Sequence, residues 1–211
     1  MTTLLVIAKQ PLPGRVKTRL TPPFTPGEAA ALAEASLIDT LSVAARVPAA
    51  RHVLVLDGEP GDWLPPGFEV VPQVAGGLDA RLAAAFAACS GPALLIGMDT
   101  PQLTPGLLAP ALRWDRHDAW FGPASDGGFW ALGLAVPDPA LLRGVPMSRP
   151  DTGRVQYERL DAAGLRVGRL PVLRDVDTAD DARRVATAAP GGRFAAVHAA
   201  LTTAMPTEAG T

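Results

Sequence analysis

The chain has 211 residues, of which 48% are hydrophobic and 19% are charged, and its formal net charge is −2. This composition is typical of a globular protein and excludes a disordered chain, and the length suits a single domain. The slightly negative charge gives no support to general nucleic-acid binding, although a local basic cluster can still bind a phosphate.

Membrane insertion and disulfide bonding are not expected. No apolar run approaches the roughly 20 residues that a membrane-spanning helix needs, and the apolar segment at residues 3–8 is too short for the core of a secretory signal. Cys89 is the single cysteine, so no internal disulfide can form and a reducing, cytoplasmic location is expected. Nothing in the sequence indicates the oligomeric state.

Predicted strands and helices alternate along the chain. Short apolar runs predict strands at residues 3–8, 52–57, 68–71, 93–97, 119–122, 129–135 and 167–173. Capping signals predict helices at residues 26–46, 78–88, from 105 onward, from 151 or 152 to about 164, and after Thr178. The alternation predicts a parallel sheet covered by helices, with some antiparallel pairing around a glycine loop in the second half. We therefore predict one α/β domain at residues 1–201 and a disordered tail at 202–211.

The loop after the first predicted strand is rich in cations. Lys9, Arg15, Lys17 and Arg19 fall within eleven residues, and Gly14 permits close approach of the backbone to a ligand. Lys and Arg side chains at this density can surround a diphosphate or a triphosphate. The GxxxxGK[ST] spacing of a P-loop is absent, and a solvated basic loop is the alternative interpretation.

Three acidic positions follow predicted strands. Asp99 comes directly after the fourth strand, Asp177 follows the last one, and Asp126 begins an Asp-Gly-Gly loop between two strands. Open α/β sheets bind ligands at the carboxyl ends of their strands, so these carboxylates are candidates for one site. Mg²⁺ often binds one or two carboxylates together with phosphate oxygens, which suits Asp99 and Asp177 beside the basic loop. Each of the two can instead cap a turn, because each precedes a threonine and a helix start.

The Asp126-Gly127-Gly128 segment has two interpretations. Asp-Gly is a strong signal for a simple hairpin turn. Alternatively, the two glycines form a bare backbone shelf on which a sugar or an acceptor lies, with Asp126 binding its hydroxyl groups.

Taken in order, these segments resemble the motifs of a bacterial family called DUF2064. The resemblance spans residues 3–185 and is carried by KQPLPGRVKTRL at 9–20, GMDTP at 97–101, GPASDGG at 122–128 and DVDT at 175–178. It implies the GT-A nucleotide-diphospho-sugar transferase fold, a three-layer α/β/α sandwich with a mostly parallel, mixed central sheet. It also implies that Asp99 occupies the position of a metal-binding aspartate and that the basic loop binds phosphate.

These observations together define an expected site. The metal, Mg²⁺ or Mn²⁺, is assigned to Asp99 and Asp177, and the catalytic residues to Asp126 and Lys17. The nucleotide is assigned to a larger set, comprising Lys9, Gly14, Arg15, Lys17, Thr18, Arg19, Gly127 and Gly128.

Three functions are compatible with such a site. The first is transfer of a sugar from a nucleotide-sugar to a small acceptor, with the metal and the cations stabilising the departing nucleoside diphosphate. The second is nucleotidyl transfer from an NTP to a phosphorylated small molecule, with pyrophosphate leaving. The third is a non-catalytic nucleotide-binding protein, which would need the basic loop but no metal-binding aspartates.

Overall fold

The computed structural model describes residues 1–204. The strands of this part of the chain are β1 (Thr3–Lys9), β2 (Arg51–Asp57), β3 (Phe68–Pro72), β4 (Ala93–Gly97), β5 (Ala119–Pro123), β6 (Phe129–Leu134) and β7 (Val167–Arg169). Its α-helices are α1 (Pro26–Ala44), α2 (Leu78–Ala87), α3 (Pro105–Leu108), α4 (Thr152–Ala162), α5 (Ala179–Ala188) and α6 (Arg193–Ala204). Short 3-10 turns lie at Thr18–Leu20, Ala109–Leu112 and Pro139–Leu141.

The strands form one mixed sheet in the order β3-β2-β1-β4-β6-β5-β7. Strand β6 runs antiparallel to its neighbours β4 and β5, whereas the other pairs are parallel. The α/β class is therefore confirmed, as are parallel pairing in the first half and antiparallel pairing around the Asp-Gly-Gly loop. Because β5 runs parallel to β4, the β5–β6 connection lies at the same edge as the carboxyl ends of β1 and β4.

Helices cover both faces of the sheet because the central strands are apolar on both sides. Leu4 belongs to a buried cluster that includes α1, and Leu5 belongs to a separate cluster that includes α2 and α4. A third cluster joins the outer side of α1 to α5 and α6 and contains Val176. The result is the predicted three-layer arrangement.

Two helices begin at the capping residues that their sequences predict, Thr25 and Thr178, and each forms a capping box. Thr25 accepts a hydrogen bond from Glu28 N, and Glu28 Oε2 accepts one from Thr25 N at 2.7 Å. Thr178 and Asp181 make the same reciprocal pair at the start of α5. These side chains satisfy backbone N–H groups that the first helical turn leaves without partners.

The structure corrects several predicted boundaries. The last strand was expected at residues 167–173, but β7 ends at Arg169. Pro171 has no N–H to donate to the sheet, and beyond it only an isolated bridge joins Leu173 to Ala124. The predicted tail at 202–211 begins inside a helix, because α6 continues to Ala204; residues 205–211 lie outside the described part of the chain. None of the helices in residues 1–204 has the length and apolar character that crossing a bilayer requires.

Candidate active site

The side chain of Lys17 lies between two of the predicted acidic residues. Its Nζ is 2.8 Å from Asp99 Oδ1 and 3.3 Å from Asp177 Oδ1, and only 7% of the side chain is exposed. Arg19 approaches from the solvent side and donates to Asp177 Oδ2 at 2.8 Å. The structure thus brings Lys17, Arg19, Asp99 and Asp177 into one charged cluster at the carboxyl edge of the sheet.

The electrostatics of this cluster favour a charged ammonium. Burial acts to lower the pKa of Lys17, but the combined attraction of Asp99 and Asp177 outweighs it, so the pKa lies above its ordinary value. The backbone of Lys17 is left-handed, with φ of 49°, a conformation that a non-glycine residue rarely adopts. The two ion pairs stabilise Lys17 in this conformation.

A backbone contact fixes the two acidic segments side by side. Val176 N donates to the carbonyl oxygen of Asp99 at 3.0 Å, and Gln102 Nε2 donates to the carbonyl oxygen of Arg174 at 2.8 Å. Val176 is 1% exposed and packs in the cluster under α1. Because successive side chains of an extended segment alternate in direction, the residues on either side of Val176 both turn towards the site.

Asp175 is a site residue that the sequence analysis did not select. Its Oδ1 is buried and has no hydrogen-bond partner among residues 1–204. Burial and the nearby negative charges of Asp99 and Asp126 raise the pKa of Asp175 to about 7, although Lys17 opposes the shift. The alternation around the apolar Val176 is the signal that would have identified it, because it places Asp175 on the same side as Asp177.

The Asp-Gly-Gly loop is a tight turn packed against the start of α4. Asp126 Oδ1 accepts from Gly128 N at 2.8 Å, while its Oδ2 makes no hydrogen bond within the described residues. Gly127 has φ of 91°, and its carbonyl oxygen accepts from Gly153 N at 2.8 Å. The predicted hairpin turn is confirmed, and it leaves an exposed carboxylate close enough to Asp175 to affect its pKa.

Glycine at position 127 is expected to be required for this packing. A Cβ at Gly127 would overlap the carbonyl oxygen of Pro150, so Gly127→Ala combines positive-φ strain with a backbone clash. We expect it to lower the free energy of unfolding by about 3 kcal/mol. Gly164 is the matched control: it has φ of 75° with open space around its Cβ position, so Gly164→Ala should cost only about 1 kcal/mol. If urea denaturation showed equal losses of the free energy of unfolding in the two variants, the clash at Gly127 would be contradicted.

The two remaining cations, Lys9 and Arg15, line a pocket that is separate from the acidic cluster. This pocket, of about 190 Å³, is also lined by Gln10, Val16 and Asp57 at the ends of β1 and β2. Gly14 and Thr18 are exposed, and no atom lies within 4 Å of a Cβ position at Gly14. The predicted phosphate-binding residues are therefore divided between this pocket and the acidic cluster.

A half-buried arginine network is joined to this pocket through Asp57. Arg81 donates to Asp57 Oδ2 at 2.9 Å, to Gln73 Oε1 at 3.1 Å and to the carbonyl oxygen of Gly76. Gln73 in turn donates to the carbonyl oxygen of Ala8 at 2.7 Å. These bonds fix the glycine turn before α2 against the ends of β1 and β2, and sequence reasoning did not identify them.

The acidic pair fits a metal ion only in combination with a ligand. Within residues 1–204, no group of three or more His, Cys, Asp or Glu side chains is close enough to hold a metal. Asp99 and Asp177 nevertheless face a common point, since both Oδ1 atoms lie within 3.3 Å of Lys17 Nζ. Two carboxylates completed by phosphate oxygens and water form a donor set that Mg²⁺ and Mn²⁺ bind. The arrangement fits such an ion once the ammonium has moved.

A larger cavity, of about 540 Å³, lies near the start of β5, at the opposite edge of the sheet. Its lining includes Arg113, Arg116, His117 and Trp120 and none of the residues that the sequence motifs single out. Volume alone therefore does not locate the candidate site, which is identified by converging charges instead.

Known structures share this fold. A candidate nucleotide-diphospho-sugar transferase from Desulfovibrio desulfuricans G20 is 28% identical, with a TM-score of 0.84 over 96% of this chain and 94% of that one. Rv0371c from Mycobacterium tuberculosis H37Rv, crystallised with manganese, is 24% identical, with a TM-score of 0.50 over 87% of this chain and 96% of that one. CMP:2-keto-3-deoxy-manno-octonic acid synthetase, complexed with CTP, is 12% identical, with a TM-score of 0.54 over 97% of this chain and 99% of that one. These likenesses confirm the GT-A-like fold.

The sequence comparison identifies the family. Among proteins of curated function, none matches the chain significantly. Residues 35–149 match the profile of DUF2064, described as an uncharacterized protein conserved in bacteria. The match covers more than half of the chain and includes the motifs at residues 97–101 and 122–128, so the predicted resemblance to this family is confirmed, while the motifs at 9–20 and 175–178 lie outside the matched residues. The chain therefore belongs to the DUF2064 family.

Proposed function

We propose that this protein is a metal-dependent transferase that moves a sugar from a nucleotide-sugar to a small acceptor. The observation that carries the proposal is the convergence of Asp99 and Asp177 on a single cation, beside a loop with three further cations. The candidate nucleotide-diphospho-sugar transferase from Desulfovibrio, which aligns with 96% of this chain, supports the choice of donor.

Asp99 and Asp177 are the residues that would hold the metal, with the remaining positions taken by phosphate oxygens and water. When bound, Mg²⁺ or Mn²⁺ neutralises negative charge on the diphosphate. Rv0371c was crystallised with manganese, which supports this choice of cofactor.

The basic loop is proposed to bind the diphosphate of the donor. Lys17 and Arg19 lie beside the acidic pair, and Lys9 and Arg15 line the adjoining pocket. As the bond between the sugar and the diphosphate breaks, negative charge develops on the leaving oxygen, and fixed cations there stabilise it more than they stabilise the ground state. Gly14 and Thr18 bring the exposed backbone of the loop to the same phosphates.

Asp126 is proposed to hold the sugar or the acceptor. One carboxylate oxygen accepts from Gly128 N, and the other, which has no hydrogen bond within residues 1–204, can accept one from a substrate hydroxyl. The backbone of Gly127 and Gly128 forms the shelf on which that group lies. This places the reacting groups between the acidic cluster and the Asp-Gly-Gly loop.

Nucleotidyl transfer from an NTP is the second candidate. Four cations in the loop suit a triphosphate, and the fold is shared with a synthetase that was crystallised with CTP. The two reactions break different bonds: glycosyl transfer releases a nucleoside diphosphate, whereas nucleotidyl transfer releases pyrophosphate.

Phosphorus NMR of the products is the test. We expect incubation with Mn²⁺ and a panel of nucleotide-sugars to give nucleoside diphosphate, at least slowly by hydrolysis, and EDTA present from the start to prevent its formation. The paramagnetic Mn²⁺ is removed before the spectra are recorded, because it broadens phosphorus signals. A thermal-shift panel selects the nucleotide beforehand, because a ligand that binds only the native state raises its apparent stability. Metal-dependent pyrophosphate from an NTP, with no turnover of any nucleotide-sugar, would establish the second candidate. Binding without turnover of either donor would leave a nucleotide-binding protein.

A further inference from the structure

The ammonium of Lys17 occupies the point at which the two acidic residues converge. Its Nζ lies 2.8 Å from one carboxylate and 3.3 Å from the other, and the side chain is 7% exposed. Apart from this ion pair, Asp99 Oδ1 has no hydrogen bond within the described residues. Lys17 is thus the cation that neutralises Asp99.

A metal ion held by the same two oxygens cannot share this position with the ammonium. Mg²⁺ binds oxygen at about 2.0–2.1 Å, so an ion between these carboxylates would occupy the space of Lys17 Nζ. The positive charges would also repel each other in a partly buried site, where screening by water is reduced. Binding of the metal therefore requires Lys17 to leave.

We propose that Lys17 competes with the metal for Asp99 and Asp177, and that the donor's phosphates favour metal binding by giving the ammonium another partner. The inference rests on the proposed function, because it concerns the same site. It makes the lysine an exchangeable cation: it pairs with carboxylates in the free protein and with phosphate in the complex.

The neighbouring groups are suited to this exchange. A lysine has a flexible four-carbon stem and a point charge that can change partners without a fixed hydrogen-bond geometry. Arg19 pairs with the other oxygen of Asp177, at 2.8 Å, and 72% of its side chain is exposed. When Lys17 moves, Asp177 therefore keeps one partner, whereas Asp99 loses the one cation that pairs with it among residues 1–204 and becomes the stronger site for a metal.

This competition couples metal binding to nucleotide binding. In the free protein, the metal must displace an ion pair, so its apparent affinity is low. Once phosphate has drawn the ammonium away, that cost is removed, and by linkage a bound metal strengthens phosphate binding equally. If Lys17 only stabilised the fold, replacing it would change the free energy of unfolding but would not raise the affinity for the metal.

Lys17→Met separates these roles through two measurements on the full-length protein. Mn²⁺ binding without nucleotide, followed by electron paramagnetic resonance of free Mn²⁺, should become tighter by about tenfold or more, because a competing charge is removed. Calorimetric binding of inorganic pyrophosphate in EDTA should become about tenfold weaker, because a charge-assisted contact is lost. Opposite changes in the two affinities are the expected signature.

Lys9→Met is the matched control for charge. It makes the same substitution at the last residue of β1, where Lys9 is exposed and forms no ion pair among residues 1–204, so Mn²⁺ affinity without nucleotide should stay within about twofold. Adding Asp99→Asn to Lys17→Met should remove the gained affinity and so locate the Mn²⁺. Lys17→Gln, which retains a polar side chain, replaces Lys17→Met if circular dichroism shows that the methionine variant does not fold.

Mn²⁺ affinity that is unchanged or weaker in both folded Lys17 variants would overturn the competition. So would a gain that survives Asp99→Asn or that Lys9→Met reproduces. None of these outcomes affects the proposed function, which is decided by the products that the wild-type protein forms with and without Mn²⁺.

Discussion

Asp99→Asn is expected to reduce metal-dependent turnover of the donor by at least about a hundredfold, because it removes a carboxylate proposed to bind the metal and leaves the fold intact. Asparagine has the same shape but no charge, so it holds a divalent cation poorly. The backbone contact between the carbonyl oxygen of Asp99 and Val176 N is unaffected by the change. Steady-state kinetics with Mn²⁺, together with the thermal unfolding temperature, measure the two effects separately.

Asp180→Asn is the control for this experiment. Asp180 lies in the first turn of α5 and pairs with Arg183 and Arg184, so the substitution removes the same charge at an exposed position outside the cluster. It should leave turnover within about twofold, as surface ion pairs contribute little. Equal turnover in Asp99→Asn and the wild type, at matched Mn²⁺ concentration, would exclude Asp99 as a metal ligand.

Local patterns predicted most of the fold because they act over short distances. The capping boxes at Thr25 and Thr178 involve residues only three positions apart, and both helices begin where these patterns place them. Helix α6 escaped prediction because its N-terminal cap is remote. Asp39 accepts hydrogen bonds from Arg193 N and Phe194 N, across 154 and 155 positions, and no local signal reveals such a cap.

In the candidate site, too, local patterns could be read from the sequence, whereas contacts between distant residues could not. The rule that ligands bind at the carboxyl ends of strands brought Asp99, Asp126 and Asp177 to one edge, without any knowledge of contacts. The partner of the acids could not be predicted, because Lys17 and Asp177 are 160 positions apart and the contact depends on a left-handed backbone at Lys17. A cation-rich loop predicts phosphate binding, but it does not indicate which cation already has a carboxylate partner.

Asp126→Ala is expected to lower kcat by about a hundredfold while changing the affinity for the nucleoside diphosphate by less than about threefold. The reason is its position: Asp126 lies in the β5–β6 loop and makes no ion pair with Lys17 or Arg19. Its proposed partner is the sugar or the acceptor, so its loss affects the reacting groups rather than the phosphates. Turnover kinetics and calorimetric titration with the nucleoside diphosphate give the two quantities.

A second substitution separates binding by Asp126 from its effect on the loop. Asp126→Asn retains an oxygen that can accept from Gly128 N and so preserves the turn, but its amide nitrogen cannot accept a hydrogen bond from a substrate hydroxyl. If Asp126 binds substrate, the asparagine variant should lose nearly as much turnover as the alanine variant. Wild-type turnover in Asp126→Asn, with loss only in Asp126→Ala, would mean that the aspartate serves to shape the Asp-Gly-Gly loop. A comparable loss of nucleoside diphosphate affinity in both variants would instead place Asp126 among the phosphate-binding groups and contradict its proposed role with the sugar or acceptor.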